Sequence, residues 1–316
     1  MLASFSEVEG LLRTPGRDRR PLRIVRRDGV VESVSSSADA LTTFPVVAGQ
    51  PVLVDFHDSV ARPAWFTPSS RGSYSAVPRR TNALRLIKGA VVGTAAISRA
   101  NLRLFREQLP AASPVVLMIG GATQGNGTEP LYADPTVRLM SFDIYPSPLT
   151  HFVADAHSIP LDDACVDGVC IQAVLEHVLE PQAVVAEIFR ILKPGGVVYA
   201  ETPFMQQVHE GAYDFTRFTE LGHRWLWKKF AEIKRGAMGG PGLSLYWSIR
   251  YYLRAMTGSS TAGDALSAPF MLLALSDRFI KPSRLIEGAN GVFFLGRKAE
   301  DALTVNEVIA QYLGHR

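Results

Sequence analysis

Four glycines and an aspartate follow two apolar segments in the middle of the chain. The glycines come directly after "VVLMI" (115–119) and are Gly120, Gly121, Gly125 and Gly127. Asp143 ends the next apolar segment, "VRLMSFD", 23 residues after Gly120. Glycines let a backbone approach a ligand closely and offer it N–H groups, and a carboxylate at this distance can accept both hydroxyls of a ribose. The spacing predicts a site for a cofactor that contains a nucleoside.

A second aspartate adds the contacts that an adenine needs. Asp155 ends the third apolar segment, 12 residues after Asp143, and Ala156 follows it. A carboxylate can accept a hydrogen bond from the exocyclic amine of adenine, while a backbone group meets a ring nitrogen. Each signal is weak by itself, since an aspartate after a strand is often only a helix cap. Three signals in order, at successive strand ends, favour the cofactor site.

A dense polar stretch, "ETPFMQQVHEGAYDFTRFTELGHRWL" (201–226), follows a further predicted strand. It holds six polar or ionisable side chains within fifteen residues, namely His209, Glu210, Tyr213, Asp214, Arg217 and His223. Because the carboxyl ends of parallel strands open on one crevice, we expect this stretch to face the cofactor site. The alternative is a helix capped by Thr219, with Arg217 pairing with Asp214 on the surface.

The elements that must position these residues alternate between strand and helix patterns. The strand-like segments are "VVLMIG", "VRLMSFD", "HFVADA", "VDGVCIQ" and "VVYAETP", and a helical segment, "PQAVVAEIFRIL", ends at "KPGG". This alternation is typical of a parallel sheet covered by helices. The predicted fold is therefore α/β, a Rossmann-like sheet with helices on both faces.

The first 80 residues have a different pattern. Residues 1–60 are predicted to form a small β-rich segment, with hairpins around Asp28-Gly29 and Gly49. Residues 61–80 are rich in Pro, Ser and Arg and are predicted to be a linker. From residue 81 to 108 apolar residues recur at helical spacing, so the domain that carries the candidate site is predicted to span 81–316.

Composition narrows the class of protein. The chain is 47% hydrophobic and 20% charged, and its formal net charge of +3 gives no reason to expect a nucleic-acid partner. Cys165 and Cys170 are five residues apart, which puts them on opposite faces of a strand and argues against a disulfide or metal pair between them. The chain shows neither a secretory signal nor an apolar run of about 20 residues. The expected location is cytoplasmic.

One long run carries a family resemblance. Residues 152–203, "FVADAHSIPLDDACVDGVCIQAVLEHVLEPQAVVAEIFRILKPGGVVYAETP", resemble class I S-adenosylmethionine-dependent methyltransferases, in the subgroup related to ubiquinone-type C-methyltransferases. The likeness rests on "DAHSIPL" with Asp155, "VDGV" with Asp167, "LEHVLEP" with Glu176 and His177, and "EIFRILKPGG" with Gly196. It extends over about residues 80–235, with a last strand, "GVFFLGRK", at 291–298. It implies a seven-stranded sheet and S-adenosylmethionine as cofactor.

The resemblance also implies which residues hold the cofactor. The methionine part would contact Gly120, Gly121, Gly125 and Gln172, the ribose Asp143, and the adenine Asp155 and Ala156. The family usually has a carboxylate two residues before the first glycine, whereas this chain has Met118. Polar contacts from Thr123, Asn126 or Glu129 would compensate, since the loss of one contact costs a few kcal/mol at most.

Methyl transfer is an in-line displacement, so an acceptor hydroxyl needs a base or a metal, whereas an amine needs alignment alone. His177 is similar to a position that contacts the acceptor or base in many relatives, although a structural histidine at a helix start is the alternative. We predict His177, His209 and Glu210 as catalytic residues, and Tyr213, Asp214 and Arg217 as contacts to the acceptor. The sequence shows no metal-ligand spacing, so no metal is predicted.

The predicted function is O-methylation of a small molecule, a sugar or a lipid-linked glycan. A C- or N-methyltransferase, a nicotinamide oxidoreductase on the same sheet and a cofactor-free binding module are the alternatives. The oxidoreductase needs a tighter glycine turn, and "DAHSIPL" and "LKPGG" argue against it. The cofactor-free module is kept as an alternative because Met118 stands where the family usually has a carboxylate.

Two further segments have open roles. An insert at about 243–290 carries apolar residues at helical spacing, with Arg250 and Arg254 nearby. It is predicted to be helical, and it could be a lid over the acceptor, a peripheral membrane contact or the core of an enlarged subdomain. The segment "FPVVAGQPVLVDF" is similar to the end of a zinc-ribbon-like domain, without the cysteines that such a domain normally has.

Overall fold

The computed structural model describes residues 2–57, 59–66, 93–110 and 112–314. Two short hairpins form where turn residues separate β-branched runs. Strands β1 (Leu22–Arg27) and β2 (Val30–Ser36) are joined at Asp28-Gly29, whose φ values are +52° and +81°. Both values lie in the left-handed region that a two-residue hairpin of this hand requires. Strand β3 (Thr43–Phe44) extends this sheet. The second hairpin pairs β4 (Val46–Val47) with β5 (Gln50–Pro51), so both predicted hairpins are confirmed.

Seven further strands form the main sheet. They are β6 (Val115–Ile119), β7 (Arg138–Asp143), β8 (Phe152–Val153), β9 (Val166–Gln172), β10 (Leu192–Pro203), β11 (Phe230–Gly239) and β12 (Gly291–Lys298). Their order is β11-β12-β10-β9-β6-β7-β8. The pairs from β10 to β8 are parallel, and β12 runs antiparallel to both β10 and β11. The predicted seven-stranded α/β fold is confirmed.

Helices cover the sheet and continue beyond it. In chain order they are α1 (Phe5–Val8), α2 (Thr94–Gln108), α3 (Glu129–Ala133), α4 (Pro181–Ile191), α5 (Glu220–Leu226), α6 (Pro241–Thr257), α7 (Ser260–Ser267), α8 (Leu273–Ser276), α9 (Pro282–Leu285) and α10 (Val305–Ala310). Helix α2 is the described part of the helix predicted over 81–108, whose residues 81–92 lie outside the described residues. Helices α6 to α9 make up the predicted helical insert.

The sheet has an apolar layer on each face, because side chains of a strand alternate between its faces. Along β6, Leu117 and Ile119 lie in one buried cluster, and Met118 lies in the other. Cys165 packs against the first cluster and Cys170 belongs to the second, so the two thiols lie on opposite faces as predicted.

The N-terminal segment covers the β8 edge of the sheet. The backbone N–H of Leu53 donates to the carbonyl of Val153 at 2.8 Å, and Val52 forms a parallel bridge with the same residue. Val8 and Leu12 share a buried cluster with Phe152. An uncovered edge strand exposes unpaired backbone groups, and here the N-terminal segment satisfies part of that edge. The division of the chain at 60 and 80 stays a prediction.

The helical insert packs on one side and exposes apolar residues on the other. Leu243 and Tyr246 of α6 are buried, whereas Tyr252 and Met256 of the same helix are more than half exposed. Arg250 and Arg254 both bind the carboxylate of Asp264 on α7, at 2.6–2.9 Å. Among the described residues, no helix is long and apolar enough to cross a bilayer.

Candidate cofactor and acceptor site

The glycine-rich loop after β6 lies tightly on the ends of the neighbouring strands. A Cβ atom on Gly120, whose φ is +75°, would lie 2.3 Å from Val174, and one on Gly121 would lie 1.9 Å from the hydroxyl of Ser141. A Cβ on Gly125 would lie 2.4 Å from the side-chain oxygen of Gln172. The three predicted glycines are therefore required by the close approach of this loop to the strand ends.

Asp143 connects β7 to this loop. Its Oδ2 accepts a 2.9 Å hydrogen bond from the backbone N–H of Ala122, and its Oδ1 accepts one of 2.7 Å from Ile144. Burial raises the pKa of the Asp143 carboxyl to about 6, against the opposing effect of these backbone donors. Met118 is buried in the apolar layer, and the loop is anchored by Asp143 instead of by a carboxylate at position 118.

Asp155 is held by a histidine and a serine. Its Oδ1 accepts a 2.6 Å hydrogen bond from Nδ1 of His157, and its Oδ2 accepts one from the hydroxyl of Ser59. Burial disfavours the charged carboxylate, but the hydrogen bonds from His157 and Ser59 outweigh it, so the pKa of Asp155 is lowered. Ala156 is buried beside it. Asp155 thus presents an ionised, oriented carboxylate at the strand end where the sequence predicts the adenine.

Ser59 belongs to a segment that sequence reasoning did not connect with the site. We call residues 52–66, of which residue 58 is not described, the N-terminal strap. Its Val54, Ala61 and Phe66 are buried in a cluster that Ile144 joins, directly after Asp143. The part of the predicted linker at 61–66 therefore packs against the cofactor side of the crevice, and residues 67–80 lie outside the described residues.

Gln172 and Glu201 form a polar layer at the carboxyl ends of β9 and β10, where they are paired in register. The Gln172 amide donates to the carbonyl of Asn126 at 3.3 Å, while its Oε1 is buried and has no hydrogen-bond partner in the described part of the chain. Burial raises the pKa of Glu201, which accepts a hydrogen bond from the hydroxyl of Tyr199. An unpartnered buried oxygen indicates a place for a ligand donor. The sequence indicated Gln172 but not Glu201.

The acceptor side brings two histidines to one buried glutamate. Nε2 of His177 and Nε2 of His209 each lie 3.6 Å from Oε1 of Glu176, and the two imidazole rings are perpendicular with centroids 4.9 Å apart. The carboxylate of Glu176 raises the pKa of His209, while burial acts in the opposite direction. The structure thus brings together two of the three residues predicted to be catalytic, His177 and His209. The glutamate beside them is Glu176 and not the predicted Glu210.

The remaining predicted residues have other surroundings. Glu210 is exposed at the surface with φ +58°. The carboxylate of Asp214 is 1% exposed and is bound by Arg217, which lowers its pKa to about 2. Asp214 and Arg217 thus bind each other. Arg217 also donates to the carbonyls of Gln206 and Gln207, so the ion pair holds the backbone that leads to His209.

Tyr213 keeps an exposed ring beside the strap. Its side chain is 40% exposed and lies edge-on to Trp65, with ring centroids 6.3 Å apart. The acceptor contacts predicted for Tyr213, Asp214 and Arg217 remain predictions. Of the three side chains, that of Tyr213 is the most exposed to solvent. His223 is buried in α5, where burial lowers its pKa to about 3, so it belongs to the interior.

Comparison with known proteins supports a methyltransferase domain. Residues 119–200 match a family model described as "Methyltransferase domain". The chain is similar to a protein of Mycolicibacterium smegmatis named as an S-adenosylmethionine-dependent methyltransferase, at 33% identity over 93 residues, which are 26% of this chain and 36% of that protein. It is also similar to the ubiquinone/menaquinone biosynthesis C-methyltransferase UbiE of Acidiphilium cryptum, at 50% identity over 87 residues, 28% of this chain and 30% of that protein.

A solved structure of a SAM-dependent methyltransferase from Archaeoglobus fulgidus aligns with 69% of this chain and 100% of its own, at 14% identity and a TM-score of 0.41. The chain spans about a third of the length of the two curated relatives it matches. The matched residues 119–200 include the glycine loop and most of the candidate site, namely Asp143, Asp155, Gln172, Glu176 and His177. The part of the chain that holds the candidate site is therefore similar to the methyltransferase domain of S-adenosylmethionine-dependent methyltransferases.

Proposed function

We propose that this protein is an S-adenosylmethionine-dependent methyltransferase that transfers a methyl group to a hydroxyl of a small molecule, a sugar or a lipid-linked glycan. The observation that carries the proposal is the partly buried carboxylate of Asp143 at the end of β7, which accepts from the backbone N–H of Ala122 in the glycine loop and from that of Ile144. Each carboxylate oxygen has a second lone pair, so Asp143 can still accept the two hydroxyls of a ribose.

The residues along the crevice fit the rest of the cofactor. Asp155 and Ala156 suit the adenine, and the strap covers this end with Phe56 and Phe66, whose rings lie 5.8 Å apart. Gln172 and Glu201 suit the amino group of the methionine part, which needs an acceptor or a negative charge that Met118 does not provide. When bound, S-adenosylmethionine supplies a methyl group activated by a sulfonium.

The acceptor would lie next to Glu176, His177 and His209. A hydroxyl gives up its proton during transfer, and His209, whose pKa is raised by Glu176, is placed to exchange one with an adjacent group. An aromatic ring at Tyr213 and another at Trp65 offer an apolar face of the kind that packs on a sugar or a planar acceptor. This arrangement favours an oxygen acceptor over an amine, which needs no base.

Calorimetric titration with S-adenosylmethionine and S-adenosylhomocysteine tests the cofactor. We expect micromolar affinity and a loss of about 1–3 kcal/mol for Asp143→Ala, because a hydrogen bond to a charged group is removed. Asp301→Ala, which removes an exposed aspartate after β12, is the matched control. Folded protein that binds neither compound would reject the proposal and favour the cofactor-free module.

A second candidate function is C-methylation, since one relative of the chain is named as a C-methyltransferase and is 50% identical over 87 residues. The two are separated by incubating the enzyme with methyl-¹³C-labelled cofactor and fractions of small molecules or glycans. The ¹³C NMR chemical shift of the labelled methyl group differs between products in which it is bound to oxygen, nitrogen or carbon. Label on oxygen supports the proposal, and label on carbon replaces it with the second candidate.

A further inference from the structure

We propose that Glu176, His177 and His209 bind a divalent transition-metal ion, such as Zn²⁺, on the acceptor side of the crevice. One ligand atom from each residue lies within 4.8 Å of the other two. Two of these separations, from Nε2 of each histidine to Oε1 of Glu176, are 3.6 Å. Ligands at zinc distances of about 2.0–2.2 Å in a tetrahedral arrangement lie about 3.4 Å apart. A small rotation of the side chains would therefore complete the site.

Glu176 provides an independent sign of a missing ligand. Its side chain is 0% exposed, and neither carboxylate oxygen has a hydrogen-bond partner among the described residues. A buried carboxylate without hydrogen bonds is costly, because it has lost its water and gained little in return. The two histidines approach it only at ion-pair distance. A cation held between the three residues would satisfy it.

Contacts behind the histidines point their free nitrogens toward this carboxylate. Nδ1 of His177 lies 2.7 Å from the carbonyl of Tyr213, which can only accept a hydrogen bond, so Nδ1 carries the proton. Nδ1 of His209 lies 3.5 Å from both the carboxylate of Asp214 and the carbonyl of Gln207. In metal sites the second ring nitrogen usually donates in this way to a carboxylate or a carbonyl, leaving Nε2 for the metal.

The ion pair behind His209 fixes its place. The backbone N–H of His209 donates to Asp214 at 2.8 Å, and Asp214 is in turn bound by Arg217. On the other side, the N–H groups of Phe215 and Thr216 donate to the carbonyl of Glu176, at 2.8 and 3.2 Å. These bonds tie the loop after β9 to the loop after β10. The two loops thus bring together donors that are 32 residues apart in the chain.

The donor set indicates the kind of metal. Two imidazoles and one carboxylate are the ligands of catalytic zinc sites that keep an open position, and also of iron(II) sites with a facial triad. Mg²⁺ and Ca²⁺ prefer oxygen ligands alone. The two histidines are 20% and 31% exposed, so the open side of the site faces the crevice. There the metal would hold an oxygen of the acceptor and ease the loss of its proton, which would replace proton exchange at His209 because Nε2 of that ring would bind the metal. This role rests on the proposed function, whereas metal binding itself does not.

The test is metal binding by the full-length protein after chelation and dialysis. We expect one equivalent of Zn²⁺ by calorimetry, and one of Co²⁺ with visible absorption bands of a four- or five-coordinate ion. Glu176→Gln, His177→Ala and His209→Ala should each lose this equivalent, while Glu300→Gln, which changes an exposed glutamate after β12, should keep it. The thermal midpoint and S-adenosylhomocysteine titration of each variant show that the fold and cofactor site persist.

Three outcomes would overturn the metal site. One is wild-type protein that binds neither Zn²⁺ nor Co²⁺, and another is an equivalent that survives in all three ligand variants. The third is binding of Mg²⁺ in preference to Zn²⁺, which the imidazole donors do not allow. Because cofactor affinity is measured on the same samples, failure of the metal site leaves the methyltransferase proposal standing, and the reverse also holds.

Discussion

Asp143 has to be charged to accept hydroxyls, yet it lies where charge is unfavourable. Burial raises its pKa to about 6 from an ordinary value of 3.8, and the N–H donors of Ala122 and Ile144 only partly oppose that effect. Asp155 is the reverse case, since His157 and Ser59 lower its pKa in spite of burial. At neutral pH both carboxylates are ionised. As the pH falls, Asp143 gains a proton before Asp155 does.

We therefore expect cofactor affinity to fall as the pH drops through about 6. A protonated Asp143 carries a hydrogen on one oxygen and cannot accept both ribose hydroxyls. If only the ionised form binds, affinity falls about tenfold for each pH unit below the pKa of Asp143. Above pH 7 the affinity should be constant. Titrations with S-adenosylhomocysteine between pH 5 and 8 measure this, with circular dichroism to confirm folding.

Asp143→Asn is the control for that pH dependence. The variant should bind weakly throughout and show no step near pH 6, because its amide does not titrate. A wild-type affinity that stays flat from pH 8 to pH 5 would contradict the assignment of Asp143 to the ribose. A step of equal size in the Asn variant would assign the dependence to another group.

Two segments outside the sheet shape the site. The N-terminal strap contributes Ser59 to Asp155 on one side, and its Trp65 meets Tyr213 on the other. The segment after β10 carries His209 and is braced by helix α6, where Ser248 accepts from Gln207 at 3.1 Å. Neither segment is part of the repeated strand-helix pattern. They connect the cofactor end of the crevice to its acceptor end.

Removing the Ser59 hydroxyl should weaken cofactor binding. Ser59 accepts from the N–H of Ala61 at 3.0 Å and donates to Asp155, so it holds that carboxylate in place. We expect Ser59→Ala to reduce affinity for S-adenosylhomocysteine about threefold to tenfold, which is about 0.5–1.5 kcal/mol. Ser37→Ala, an exposed serine of the N-terminal segment, is the matched control. Tighter binding by Ser59→Ala would instead show that Ser59 competes with the adenine.

At the scale of the whole molecule, local patterns in the sequence predict the sheet but not what covers it. Strand ends at Asp143, Asp155 and Gln172 were predicted because period-two and period-3.6 patterns show where elements stop. The meeting of Glu176 with His209 could not be read in the same way, since it depends on how two loops cross. Likewise, Leu53 follows a short hairpin in the sequence, and nothing local shows that it pairs with Val153, 100 residues later.

We infer from that pairing that the N-terminal segment unfolds together with the sheet. Leu53 is 0% exposed and lies in the cluster that contains Phe152, so Leu53→Ala should lower the free energy of unfolding by about 2–5 kcal/mol. Leu41→Ala is the matched control, because Leu41 is 91% exposed in the same segment and its loss should change stability by less than about 0.5 kcal/mol. Urea unfolding followed by tryptophan fluorescence and by circular dichroism gives both values. Coincident transitions that shift together in Leu53→Ala would support one cooperative unit, whereas a separate early transition, or an unchanged midpoint, would show that the segment folds apart from the sheet.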